Sequence, residues 1–477
     1  MGALALGVLV SIERIDADGT AFLGENSTYQ LSTLMRIGLA LLAIAPLFTG
    51  LGLAVVPAQV GSPSIAFPRL AALSFWTWLG GAAVTVGAYA ANGGPGGAGE
   101  PVRLFLVGIG LVAIALALAA VCISATVLTL RAPGMRSDEV PLFSWASFVT
   151  SSVMVLAMPI LLANVVSLYL SHRYGQIVFG DASRLMRHLE WAVSHPGVAL
   201  YSLPVLGVIG DIVATSTRQR QPLRSVLIGA IGLAGILYFG ADVQRGLNAD
   251  VVHQPNYFIA SLAGILPVLI VLGLCGLCLR NAKPKVGAPI VFALAAGLMA
   301  ALGGAMAMLM PWRGLGLVDE LAVGANTTAG TVFQEGQAVA FIGAGILGLL
   351  GALAYWAPRI WGRRIDDKKM LPLALFGLGG TVLVALPLGF LGWKEQPLDA
   401  VNFTIDGPAS VLNIIVLVGY ALLFVAALGG VGLVLQSVRS GEHGATDPWD
   451  GQTLEWTDTP LSTVVRSAQP LLDRKDA

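Results

Sequence analysis

Leu104-Phe-Leu-Val-Gly-Ile-Gly-Leu-Val-Ala-Ile-Ala-Leu-Ala-Leu-Ala-Ala-Val-Cys-Ile-Ser-Ala-Thr-Val-Leu-Thr-Leu130 runs 27 residues without one charged side chain. About 20 such residues in helical conformation cross the roughly 30 Å hydrocarbon core of a bilayer, so this stretch reads as a transmembrane helix. The rest of the chain has the same character. Of 477 residues 56% are hydrophobic and only 11% charged, and mean hydropathy is +0.79. Soluble domains carry about 25% charged residues, so lipid is the solvent this composition suits. A formal net charge of zero gives no electrostatic reason to expect nucleic acid as a partner. Cys275-Gly-Leu-Cys278 has a spacing used by metal and redox sites. It lacks a second pair or a histidine cluster, and four ligands are needed for structural zinc, so it reads as a helix face of small residues. Met1 to Val10 is apolar but has neither a basic start nor a clear cleavage site.

Working outward, further apolar runs fall at 33–57, 70–92, 144–170, 193–216, 223–243, 256–280, 287–311, 337–357, 371–393 and 409–437, with a short one at 1–12. Together with 103–130 they predict an all-α membrane protein of about twelve transmembrane helices with a short first helix. The bundle occupies 1–440, and residues 441–477 form a tail. Ala344, Gly348 and Ala352 repeat every four residues, which predicts a face where another helix backbone comes close. Alternating loops and the tail collect eighteen of the 27 basic residues, from Arg69 through the Arg359, Arg363, Arg364, Lys368, Lys369 group to Lys475. Only nine, among them Arg14, Arg36, Arg245 and Lys394, fall on the other side. The excess predicts a cytoplasmic C-terminus in a bacterial-type plasma membrane.

Several segments carry a family likeness. They are Val56-Pro-Ala-Gln-Val-Gly-Ser-Pro-Ser-Ile-Ala-Phe-Pro-Arg69, Leu73-Ser-Phe-Trp76, Arg131-Ala-Pro-Gly-Met135, Pro141-Leu-Phe-Ser-Trp145, His188-Leu-Glu-Trp191 with His195-Pro196, and Asp447-Pro-Trp-Asp-Gly-Gln-Thr-Leu-Glu-Trp456. In order and interval, from about residue 20 to 460, the chain resembles subunit I of the haem-copper oxidases, the catalytic subunit of cytochrome c oxidase. The resemblance implies a twelve-helix bundle in three pseudo-symmetric arcs, holding two haems and one copper on six histidines.

This chain has five histidines in all: His172, His188, His195, His253 and His443. The resemblance places only His195 at a ligand position, that of the first copper histidine, while the copper pair falls on Asp242 and Val243. The low-spin haem histidine falls on Met35, and the His-Phe-His of the tenth span on Glu335-Gly-Gln337. The tyrosine and glutamate that follow the copper histidine become Ala199 and Gly197. The proton-path aspartate and lysine become Ser64 and Val271, and the arginines that clamp the propionates fall near Lys394-Glu395. Haem iron and copper need specific donors, so ligands, proton donors and clamps are lost together.

These substitutions lead to the expectation of a non-catalytic, haem- and copper-free scaffold subunit, bound to other membrane subunits of a respiratory or electron-transfer complex and to lipid. Two alternatives stand beside it. One is redox chemistry toward oxygen or quinone with unusual ligands from Met35, Glu335 and Gln337. The other is a proton or ion conduit using Asp242 and Glu335. Ionisable groups in spans are costly, roughly 2.5–3.5 kcal/mol each, so each needs a reason. Glu335 and Gln337 are expected to make polar contacts that fill an emptied cavity. Asp242 is expected to pair with Arg245 or cap its helix, His195 to hydrogen-bond internally, and Asp211 and Glu190 to cap helix ends. Trp191, Trp312, Trp356 and Trp393 are expected to be interfacial anchors.

Overall fold

The structure is a computed structural model that describes residues 1–15, 23–97, 99–175, 189, 196–247, 255–314, 330–398, 408–442, 447–451 and 453–457. Its helices are α1 Gly2–Glu13, α2 Glu25–Ile37, α3 Ala45–Val60, α4 Pro68–Ala90, α5 Glu100–Thr129, α6 Leu142–Tyr174, α7 Pro196–Thr217, α8 Arg224–Leu247, α9 Pro255–Asn281, α10 Ala288–Gly314, α11 Val332–Trp361, α12 Asp367–Trp393 and α13 Ala409–Ser440. A π-helical segment, Gly38–Ile44, joins α2 to α3 without a break, so the membrane bundle has twelve helices. Among the described residues nine helices are long and apolar enough to cross a bilayer. Gly2–Glu13, Arg224–Phe239 and Gly264–Arg280 are shorter apolar helices. The protein is an all-α integral membrane protein, and the described residues contain no strand. Observed boundaries follow the apolar runs because in lipid every backbone N–H and C=O must be paired within its own helix.

What the runs do not reveal is the π segment. Ala45 N–H bonds to Ala40 O, five residues back, and this wider turn rotates everything after Met35 relative to an uninterrupted α-helix.

Burial ranks the helices. In α7 and α11, 89% of the apolar window is inside the protein, against 17% in α4 and 33% in α13. Thus α7 and α11 form the centre, and α4 and α13 offer Trp76, Val86, Val411 and Val431 outward. The predicted small-residue face of α11 is the contact surface: Ala344 and Ala352 are fully buried. Gly348 lies against Val205 of α7, where an added Cβ would come within 2.8 Å. Cys275 and Cys278 are buried free thiols on α9, and no metal-holding group of His, Cys, Asp and Glu exists among the described residues.

Candidate functional site

Two buried polar centres sit at opposite ends of the bundle. The first joins the end of α1 to the starts of α11 and α13. Arg14, directly after α1, and Glu335, in the first turn of α11, are 3% and 2% exposed. Arg14 Nη2 donates to Glu335 Oε2 at 2.9 Å and to Leu398 O at 2.9 Å. Tyr420 Oη of α13 donates to Glu335 Oε1 at 2.9 Å, and Asn413 Nδ2 donates to Arg14 O at 2.9 Å. A backbone pair fixes the loop after α12 to this end: Val332 N–H bonds Gln396 O and Leu398 N–H bonds Gly330 O. Arg14 Nη1, Asn413 Oδ1 and the Gln396 side-chain amide are buried without a partner among the described residues, so unused hydrogen-bonding capacity remains here.

Met35 is 1% exposed and packs against α1. A Cβ added to Gly7 would lie 2.7 Å from Tyr420 Cδ1 and 3.1 Å from Met35 Sδ. The backbone of α1 at Gly7 therefore adjoins both the Met35 sulfur and the Tyr420 ring with no room for a side chain. Gly7→Leu is expected to push α1 off this seat, because overpacking a tight contact costs about 1–3 kcal/mol. Reduced unfolding midpoint in detergent checks it, and an unchanged midpoint would show that α1 is loosely held.

The second centre closes the end that carries the tail. Gln59 near the end of α3, Asp211 on α7 and Glu455 in the tail are 0%, 4% and 1% exposed. Gln59 Nε2 donates to Asp211 Oδ2 at 3.1 Å and to Glu455 Oε1 at 2.9 Å. Its Oε1 accepts from Ser144 N–H at 3.1 Å and Ser144 Oγ at 2.6 Å. Flipping the amide would face its oxygen to two carboxylates, so the network fixes its orientation. Asp211 accepts Leu142 N–H at 3.1 Å and Phe143 N–H at 3.0 Å, the free donors that begin α6. Trp356 Nε1 reaches Glu455 Oε1 at 3.3 Å, and Tyr355 Oη meets Thr215 Oγ1 at 2.9 Å and Trp456 Nε1 at 3.0 Å. Burial is the main cause that pushes the Glu455 carboxyl up to about 7; the Gln59 hydrogen bond opposes it and the Asp211 charge adds to it.

Of the residues singled out in the sequence, Glu335 bonds the Tyr420 hydroxyl at the first centre, and Met35 lies across Gly7 of α1 from the Tyr420 ring. Gln337 is half-buried, two residues and so about 200° round the helix from Glu335. Asp242 and Val243 lie on α8 with side chains outside the described residues, as are those of Arg245 and Trp312. His195, Glu190 and Trp191 lie outside the described residues altogether. Asp211 is a helix cap as expected, though of α6 rather than of its own helix. Trp356 corrects the anchor assignment: it is fully buried, bonded to Glu455 and packed on Phe143 with ring centroids 4.7 Å apart. A single sequence does not say whether a tryptophan near a helix end meets lipid or a folded-back tail. Arg14, Tyr420, Gln59 and Glu455 were missed as site members. Arg14 and Glu455 are visible as charges beside apolar or aromatic residues, but their partners lie 321 and 396 positions away.

Comparison with known proteins adds the lineage. A family model described as Cytochrome C and Quinol oxidase polypeptide I matches residues 1–422. Cytochrome c oxidase subunit 1 of Bacillus subtilis is 25% identical over 463 residues, covering 92% of this chain and 72% of that protein. The cytochrome c oxidase subunit 1 of Corynebacterium efficiens is 27% identical over 477 residues, covering 92% and 78%.

Proposed function

The chain belongs to the cytochrome c and quinol oxidase polypeptide I family, and from that premise we propose that it is a member without the catalytic metals, acting as a membrane scaffold subunit of a respiratory or electron-transfer complex. One observation carries this reading: Glu335 has one oxygen on Arg14 and the other on Tyr420. Met35, at the position of the low-spin haem histidine, adjoins Gly7 of α1, where an added Cβ would lie 3.1 Å from its sulfur. A haem iron needs an open donor atom and a flat space beside it for the macrocycle. Here the carboxylate is neutralised by a guanidinium, and helix backbone adjoins the sulfur, so these residues do not fit the group. For copper, Val243 carries no donor atom and a single histidine, His195, holds no metal by itself. The role left to such a chain is to present the family's bundle and its outer faces to other membrane subunits. The basic loops beside the tail support a cytoplasmic placement of that end.

The test is a haem spectrum with copper analysis on the protein purified with its native partners and resolved by subunit. Neither cofactor is expected with this chain, and it is expected to migrate within a larger assembly. Stoichiometric haem would overturn the reading and make Met35, Glu335 or Gln337 real ligands. A lone stable monomer from native membranes would remove the scaffold role.

A further inference from the structure

The second polar centre contains none of the positions where the resemblance places haem or copper ligands. Two carboxylates, Asp211 and Glu455, take hydrogen bonds from one amide nitrogen, Gln59 Nε2. The other hydrogen bonds are unequal. Asp211 accepts from two further donors, Leu142 N–H and Phe143 N–H, at the N-terminus of α6, which favours a negative charge there. Glu455 Oε1 has Trp356 Nε1 as a further donor at 3.3 Å, while its Oε2 is buried without a well-formed hydrogen bond among the described residues, with the Thr453 hydroxyl and its own N–H nearby. No cation forms an ion pair with either carboxylate among the described residues; Arg224 at the start of α8 acts on Asp211 at longer range and bonds to the backbone of Asp138, Glu139 and Val140 instead. Two neighbouring carboxylates in a dry site do not both ionise.

Glu455 also belongs to a segment held on the bundle by side-chain contacts. Asp447 accepts the Trp449 and Gly451 N–H groups and shapes the turn. Trp449 stacks on Tyr355, donates to Tyr355 O at 2.9 Å and lies under Arg364. The charged contacts at the rim, Arg218 to Asp450 at 3.5 Å and Lys285 Nζ to Pro448 O at 3.4 Å, are exposed and weak. The buried part of the contact is Glu455 and Trp456.

We propose that Gln59, Asp211 and Glu455 form a binding site for one proton, which latches the tail segment 447–457 onto the end of the bundle. With the proton bound, the pair carries one negative charge, on Asp211, and Glu455 docks as a neutral acid. Without it, two charges face each other across Gln59, and Glu455 gains by moving into water. The charged and titratable groups that act on Glu455 are Asp211 from α7 and Tyr355 from α11; of the tail's own carboxylates, Asp447 bonds the Trp449 and Gly451 N–H groups and Asp450 pairs with Arg218. Rim cations Arg218, Lys285 and Arg364 meet the tail elsewhere, at Asp450, Pro448 and Trp449.

The sign follows from linkage. A carboxyl whose docked value of about 7 exceeds its free value, ~4.3, keeps a proton on docking. Docking is then strongest below the free value, weakens as pH rises toward 7, and is level above it. Between about pH 5.5 and pH 8 the docking equilibrium should weaken on the order of 30-fold.

The experiment is hydrogen–deuterium exchange of the 447–457 peptide in the full chain with its membrane partners. It is read as protection factors against an unstructured peptide at the same pH, so that the intrinsic rate cancels. Protection in the wild type should fall across that range, and Glu455→Gln should keep it level. A level wild-type profile, or an equal fall in Glu455→Gln, overturns the proposal. If Glu455→Gln does not assemble, infrared titration of wild-type protein carrying ¹³C-labelled glutamate decides. A protonated glutamic acid band present at pH 6 and lost by pH 8 supports the latch, and its absence at pH 6 overturns it. Neither readout depends on whether a haem is bound at the other centre.

Discussion

Replacing Arg14 by alanine is expected to cost about 3–5 kcal/mol of stability, the range for breaking a buried ion pair from one side. Glu335 would then be left 2% exposed with Tyr420 as its one remaining hydrogen-bond donor among the described residues, and a buried carboxylate with only the more distant Arg36 as counter-charge is expensive. Glu335→Ala should cost a similar amount for the complementary reason, since the Arg14 guanidinium keeps only Leu398 O among the described residues. The cost measures the loss of one partner, not the net worth of the pair. Accordingly, Arg14→Leu with Glu335→Leu and Tyr420→Phe should recover most of the stability, because an apolar replacement of similar volume is often neutral. Chemical unfolding of the four proteins in the same detergent reads this directly. Single variants within about 1 kcal/mol of wild type, the range of exposed pairs, would mean that water reaches the pair and that α1 does not close this end. The result bears on the proposed function, because α1, α11 and α13 are tied together here at Glu335.

The second large effect belongs to the tail end. Asp211→Ala removes the acceptor of Leu142 N–H, Phe143 N–H and one Gln59 N–H together. Losing a helix cap costs about 0.5–2 kcal/mol, and each buried donor left unpaired about 1–3 kcal/mol. Partial relaxation makes these terms less than additive, so about 3 kcal/mol or more is expected. Asp211→Asn keeps one acceptor oxygen and should cost about 1–2 kcal/mol. Unfolding midpoints order the three proteins, and an alanine variant as stable as the asparagine one would show that the capping bonds are dispensable. There is a second readout. Since the Asp211 charge is among the causes that raise Glu455, neutralising it should move the Glu455 titration downward. It should also hold the tail less dependent on pH near neutrality.

The helices were legible from residue order because hydrophobic length is a local property. A run such as Leu104–Leu130 crosses a bilayer whatever packs beside it, and the observed helices keep to those runs within about five residues, apart from the 33–57 run, whose helix already begins at Glu25. The loop and tail motifs were equally local, and the family model agrees with the lineage they indicated. The small-residue face of α11 was readable for the same reason, a four-residue repeat on one helix.

The polar centres were readable only as residues at risk. An isolated Glu335 in an apolar run signals that a partner must exist, because an unpaired charge there is too costly. It does not name Arg14, which is 321 positions away. Likewise Trp356 read as a lipid anchor until the tail was seen folded over it. Composition and periodicity determined that this chain is a twelve-helix membrane bundle. Only the tertiary structure decided which charges are neutralised by which partners, that α1 adjoins both Met35 and Tyr420, and that two distant carboxylates share one amide. The division is physical: burial in lipid acts residue by residue along the chain, whereas pairing of buried charges depends on helices that meet only after the bundle has formed.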